Sequence, residues 1–156
     1  MKIATICLLC REQSLLLGVK KEGFGTGKIN APGGKVKEAE KIKSAAAREV
    51  FEEAGIIVEE TALQQVAVFQ FYFEANFVFE CHVLLVKQCE GEEKESDEMG
   101  DFQWYPFDKL PFEKMWVGDR LWMPLVLSGK RIEGRVDFNS DGSEVKKFSY
   151  NEVKFD

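Results

Sequence analysis

Histidine is nearly missing from this 156-residue chain, with His82 the single copy, and cysteine is limited to four residues. A structural zinc site needs four Cys or His ligands, and the one CxxC present, Cys7 and Cys10, has no second pair to complete it. Both thiols also fall in an apolar run that reads as a strand, where side chains three apart point to opposite faces. Free buried thiols in a reducing compartment are therefore expected, and zinc or redox chemistry is not. No run of about 18 apolar residues occurs, which excludes a spanning helix. The N-terminus lacks a basic segment followed by an apolar stretch, so a cytosolic location is expected. Basic clusters are lacking too: 21 Lys and Arg stand against 27 Asp and Glu, for a net charge of −6. Duplex or single-stranded nucleic acid is a poor partner for such a surface. Linkers, repeats and low-complexity segments are absent as well, so a single domain over 1–156 is expected, acting as a monomer.

What the chain does have is apolar bulk, with 45% hydrophobic residues and 13 phenylalanines, enough to fill a core and, in part, to line a pocket. Residues 2–10 read as a strand and Ser14 to Lys21 as its hairpin partner. A glycine-rich loop, Gly23 to Gly27, leads to an extended piece ending at Gly33-Gly34. Strong helix formers run from Lys41 to Ala54, with Gly55 at the C-terminal cap position. Segments 56–59, 62–74, 77–88 and 102–107 are β-branched or aromatic and read as strands. Glu90 to Asp101 reads as an acidic loop, Asp119 to Ser128 as a second helix, and Arg131 to Tyr150 as a hairpin around Asn139 to Gly142. Strands interrupted by two helices indicate an α/β class, a mixed sheet flanked by helices.

The stretch from Gly34 to Ile56, GKVKEAEKIKSAAAREVFEEAGI, carries the chemistry. Glu49, Glu52 and Glu53 lie at i, i+3 and i+4 and share one helix face, with Arg48 beside them. Taken alone, that pattern fits a solvated acidic face as well as it fits a site for a hard cation such as Mg2+, which prefers oxygen ligands and bridges carboxylates to phosphates. An acidic protein binds a polyphosphate when divalent cations come with it. The full spacing is more specific: Gly34, five residues, Glu40, seven residues, then Arg48-Glu49-Val50-Phe51-Glu52-Glu53-Ala54-Gly55-Ile56.

That spacing resembles the Nudix box at every specified position. The resemblance implies an α/β/α sandwich with a mixed sheet and a catalytic helix following the Gly-Gly loop. It implies a Mg2+-dependent (Mn2+ substituting) hydrolysis of a phosphoanhydride bond. By position, Gly33, Gly34, Glu49, Glu52 and Glu53 match metal-site residues, and Glu49, Glu53 and Arg48 match catalytic ones. Arg48 would hold the carboxylates by charge-assisted hydrogen bonds, with Glu40 in support.

Outside the box, the chain resembles the MutT-type oxidised-purine triphosphatases of that family. The matching pieces are Leu15 to Gly18 with Lys20-Lys21, Gly23-Phe24-Gly25, Glu95 to Met99, Pro111-Phe112, Met115-Trp116, and Asp119 with Trp122 and Pro124. This implies a small-molecule nucleotide substrate, 8-oxo-dGTP or a related damaged purine triphosphate. Thr5 and Asn30 would contact the nucleoside, Lys20 the phosphates, Phe24 and Trp116 the purine face, and Asp119 the base edge. Glu98 would lie near the metal. On residue habits alone, Phe24 and Trp116 also fit core rings, and Asp119 also fits a helix cap.

Three departures concern the pocket. Gly118-Asp119 stands where the relatives have two acids, Ala31-Pro32 replaces a Gly-Phe pair, and Phe79 replaces a methionine. A single ionised Asp119 only accepts hydrogen bonds, so guanine-type substrates are expected over oxidised adenines. Tyr72 is similar to a tyrosine of dinucleoside polyphosphate hydrolases, which makes those compounds, or another nucleoside diphosphate derivative, the alternative substrates.

Overall fold

The computed structural model describes residues 2–155. β1 (Ile3–Arg11) reverses through Glu12 and Gln13, both left-handed at φ 49° and 64°, into β2 (Ser14–Lys20). Such a two-residue turn matches the twist of the flanking strands. The two strands pair only at Cys10↔Leu15 and Arg11↔Ser14 and then part. Residues 32–36 fill the gap: the N–H groups of Cys7 and Thr5 donate to Pro32 O and Gly34 O at 2.7 and 2.8 Å, and Val36 N–H donates to Ile3 O at 2.9 Å. The Gly-Gly segment is thus bonded along the first half of β1.

On its other side β1 runs parallel to β5 (Asn76–Val86), from Ile3↔Glu80 to Leu9↔Val86. β5 forms a long hairpin with β4 (Gln64–Phe73), β4 runs parallel to β7 (Ile132–Phe138), and β7 pairs antiparallel with β8 (Val145–Glu152). β2 carries the two-residue β3 (Ile29–Asn30) and β6 (Met99–Pro106). The strand order is β3-β2-β1-β5-β4-β7-β8, with β6 on β2, a mixed sheet.

A helix covers each face. α1 (Ile42–Ala54) presses Ala46 and Val50 onto Cys7, Leu9, Leu16 and Leu84, and ends where Gly55 turns left-handed at φ 70°. α2 (Asp119–Leu127) packs Trp122, Met123 and Val126 against Phe69, Ile132 and Val136 on the opposite face. The result is the expected α/β/α sandwich. Cys7 and Cys10 are split between the two cores, and all four cysteines are free and buried. Burial raises each thiol, Cys10 up to about 12.

Two strand assignments change. Residues 56–59 form no strand: Ile56 drops into the core, Ile57 is left 78% exposed, and the chain passes into a 3-10 turn at Glu60–Ala62. β6 starts at Met99 rather than Phe102, because Met99 and Gly100 already pair with Lys20 and Val19. Among the described residues no helix is long and apolar enough to cross a membrane.

Candidate active site

One helical turn separates Glu49 from Glu53, so both carboxylates leave α1 on the same side. They are 9% and 1% exposed and meet the Gly-Gly segment that β1 holds in place. Gly33 N–H donates to Glu53 Oε1 at 2.8 Å. A Cβ on Gly33 would lie 2.0 Å from Thr5 O, and one on Gly34 would lie 2.5 Å from the Glu49 carboxyl carbon. Space, rather than backbone angle, requires glycine at both positions.

Arg48 organises the acids. Its Nε and Nη2 donate to the two oxygens of Glu40 at 2.8 and 2.9 Å, and its Nη1 donates to Glu49 at 2.9 Å. Nη2 also donates to Lys35 O at 3.1 Å, which ties the helix to the loop after Gly34. This planar fork makes Glu40 the principal partner of the arginine, and the guanidinium holds Glu40 down to about 2.

Glu52 does not join the convergence. It is rotated away from Glu53 around the helix, its side chain is 42% exposed, and Arg48 Nη1 holds it at 3.2 Å. Glu98, from the loop before β6, takes the third place instead. One carboxylate oxygen from each of Glu49, Glu53 and Glu98 lies within 4.8 Å of the other two. Burial pushes Glu53 up to about 7, against the Gly33 N–H and the Lys20 charge, and burial likewise raises Glu49. Three hard oxygen donors brought this close, two of them buried, suit a divalent cation that would remove their mutual repulsion.

A cavity on the α2 side of the sheet gathers the remaining expected residues. Lys20, Phe24, Asn30, Phe79, Trp116 and Asp119 line it, with Phe71, Phe73 and Phe138 as further walls. Phe24 stacks on Trp116 with centroids 5.0 Å apart, and Lys28 Nζ lies 5.0 Å over the indole. Thr5 also borders the cavity, but its hydroxyl donates to Gly34 O at 3.4 Å. Asp119 begins α2 and makes no cap bond: Gly118 holds the cap position, and Asp119 Oδ1 accepts from Trp122 Nε1 at 3.2 Å. The core-ring reading of Phe24 fails, since that ring is 58% exposed at the cavity mouth.

Burial pushes Asp119 up to about 7, with the Trp122 N–H and the Lys28 charge opposing it. The ionised form only accepts, as expected, and the burial that raises the group favours a protonated form that also donates.

The pocket opens directly onto the acidic cluster. A neighbouring cleft lined by Glu49, Glu53 and Glu98 shares Ala4, Lys20, Phe24, Gly33, Gly34 and Phe79 with it. That cleft adds Lys2, Lys35 and Glu22, which the sequence reading missed. Strand alternation through Ala4 and Ile6 would have placed Lys2 on this face.

Residues 1–126 match the NUDIX domain family. The chain belongs to the Nudix family. It is 42% identical over 138 residues to the oxidized purine nucleoside triphosphate hydrolase of Danio rerio, covering 88% of this chain and 86% of that one. It is 36% identical over 153 residues to the protein of the same name from Mus musculus, covering 97% and 96%. A crystal structure of a MutT protein from Bacillus halodurans superposes with a TM-score of 0.81 at 25% identity, covering 97% and 98%. In this Nudix hydrolase Tyr72 faces away from the cavity, packed under Arg135 with the guanidinium 3.6 Å from the ring. At Gly118 a Cβ would meet Phe138 at 3.2 Å, so a side chain there starts against the apolar wall.

Proposed function

We propose that this Nudix hydrolase converts oxidised purine nucleoside triphosphates, 8-oxo-dGTP foremost, and water into the monophosphate and pyrophosphate, and so sanitises the nucleotide pool. The observation that carries this reading is the continuity of an aromatic, acid-floored pocket with a carboxylate cleft. Relatives of matching length named for that activity support it.

Trp116 offers a stacking face worth roughly 1–3 kcal/mol per base. Phe24, stacked on the same indole at 5.0 Å, is the second ring for the purine face. Asp119, ionised, accepts from N1–H and the exocyclic amine of a guanine edge. Lys20, beside Glu53, draws the polyphosphate over Gly33-Gly34, and the missing side chains there let phosphate oxygens approach the backbone. Glu49, Glu53 and Glu98 would hold Mg2+, or Mn2+ in its place. Bound there, the ion would supply charge neutralisation and orientation for in-line attack of water on phosphorus. Glu52, 42% exposed and held by Arg48 Nη1 at 3.2 Å, is the remaining carboxylate of the box and would serve a further ion. The Glu49 and Glu53 pair takes the proton that water releases, and Arg48 keeps Glu49 in place while it does so. With a net charge of −6 and no basic stripe, the enzyme works on free nucleotides rather than polymers, as a cytosolic monomer.

Steady-state kinetics with Mg2+ on dGTP, 8-oxo-dGTP, 2-hydroxy-dATP and diadenosine tetraphosphate test the reading. The highest kcat/KM is expected for 8-oxo-dGTP, with Glu53→Gln lowering kcat by about 10²–10⁴-fold. A preference for diadenosine tetraphosphate would favour the alternative substrate class, although the outward-facing Tyr72 speaks against it. A wild-type enzyme inert towards all four refutes the proposal.

A further inference from the structure

We propose that Ser96 is a positioning residue that holds Glu98 in the carboxylate cluster and thereby sets its affinity for a divalent cation. The proposal rests on reading Glu49, Glu53 and Glu98 as that cation's site. Glu49 and Glu53 are placed by the helix itself, whereas Glu98 comes from an irregular loop rich in acids: Glu90, Glu92, Glu93, Glu95 and Asp97 precede it. Charge repulsion from the helix-borne pair favours a loop swung outward, so something must hold Glu98 in.

The end of α1 supplies one anchor, beside the Lys21 N–H that donates to Glu98 O at 2.8 Å. The last carbonyls of α1 have no partner within the helix. Gly55 N–H takes Phe51 O at 3.0 Å, Lys94 N–H takes Ala54 O at 2.7 Å, and the Ser96 hydroxyl donates to Glu53 O at 2.8 Å. The same Oγ accepts from the N–H groups of Glu98 and Met99 at 3.2 and 3.1 Å. One hydroxyl therefore joins the backbone of Glu53 to the backbone of Glu98. Ser96 N–H closes the turn on Met99 O at 2.9 Å. Ser96 has no bond to either carboxylate, so its influence on the cluster runs through Glu98. Residues that orient ligands in this indirect way typically change metal affinity by about 10–100-fold when removed.

Mn2+ binding, read from the electron paramagnetic resonance signal of the free ion, provides a test independent of turnover. Ser96→Ala is expected to weaken Mn2+ by about 10-fold, Glu98→Gln by at least as much, and the double variant no more than Glu98→Gln alone, because Ser96 acts only through Glu98. Ser96→Thr, which keeps the hydroxyl, restores wild-type affinity. Ser96→Ala within twofold of wild type beside a weakened Glu98→Gln overturns the proposal, and so do losses that multiply in the double variant. A wild-type protein that binds no Mn2+ overturns the cation-site reading beneath it.

Discussion

Replacing Asp119 with asparagine measures what the fold sacrifices to keep a carboxylate under the base pocket. Asp119 is 9% exposed, and burial moves it from 3.8 to about 7. The folded protein then holds this proton more tightly than the unfolded chain does. Its contribution to stability is complete below about pH 4, where both states are protonated, and is lost as pH climbs towards 7. Above that, the ionised group costs at most about 4 kcal/mol, from three pH units at about 1.4 kcal/mol each. Asparagine has no charge to desolvate and keeps an oxygen for Trp122 Nε1, but its amide N–H groups need partners of their own. A gain near 2 kcal/mol at pH 8 is a reasonable magnitude on that balance. Urea unfolding of both proteins at pH 5, 6, 7 and 8 gives the difference directly and cancels the titration of Glu49 and Glu53. The Asn variant is expected to be progressively favoured from pH 5 to 8, while losing activity towards 8-oxo-dGTP. A stability difference that stays flat across that range refutes the reasoning.

The same titration should appear in substrate choice. Protonated Asp119 donates as well as accepts, so the kcat/KM preference for 8-oxo-dGTP over 2-hydroxy-dATP should widen as pH rises from 6 to 8. A ratio independent of pH argues against Asp119 at the base edge. Ala39 is left-handed at φ 63°, a conformation that costs a residue with a Cβ about 1 kcal/mol. Ala39→Gly should therefore raise unfolding free energy by up to about 1 kcal/mol in urea titrations, and a loss would show that Ala39 packs usefully. Gly33→Ala drives a Cβ into the rigid Thr5 carbonyl and should cost about 3 kcal/mol of stability. Gly34→Ala meets the Glu49 carboxylate instead, a side-chain end that yields at the cost of its Arg48 bond, so thermal melting should fall less than for Gly33→Ala while kcat collapses. Equal melting losses for the two variants would contradict that distinction.

The chain by itself determined the chemistry and most of the scaffold. Helix periodicity brings Glu49 and Glu53 to one side, the strand period separates Cys7 from Cys10, and Gly55 ends α1, all because these relations are local and repeat along the backbone. The spacing from Gly34 to Ile56 was enough for the family. Tertiary packing decided what depends on distant segments meeting. Ile56 to Glu59 have strand-like residues but no strand beside them, and Met99-Gly100 become strand only because Lys20 and Val19 lie opposite. Glu52 carries the same side chain as its neighbour, yet Arg48 and solvent hold it while Glu98 completes the cluster from a loop 45 residues beyond Glu53. The charge state of Asp119 could not be read from its letter either, since an acid's proton affinity follows the burial and neighbours that only the folded chain supplies.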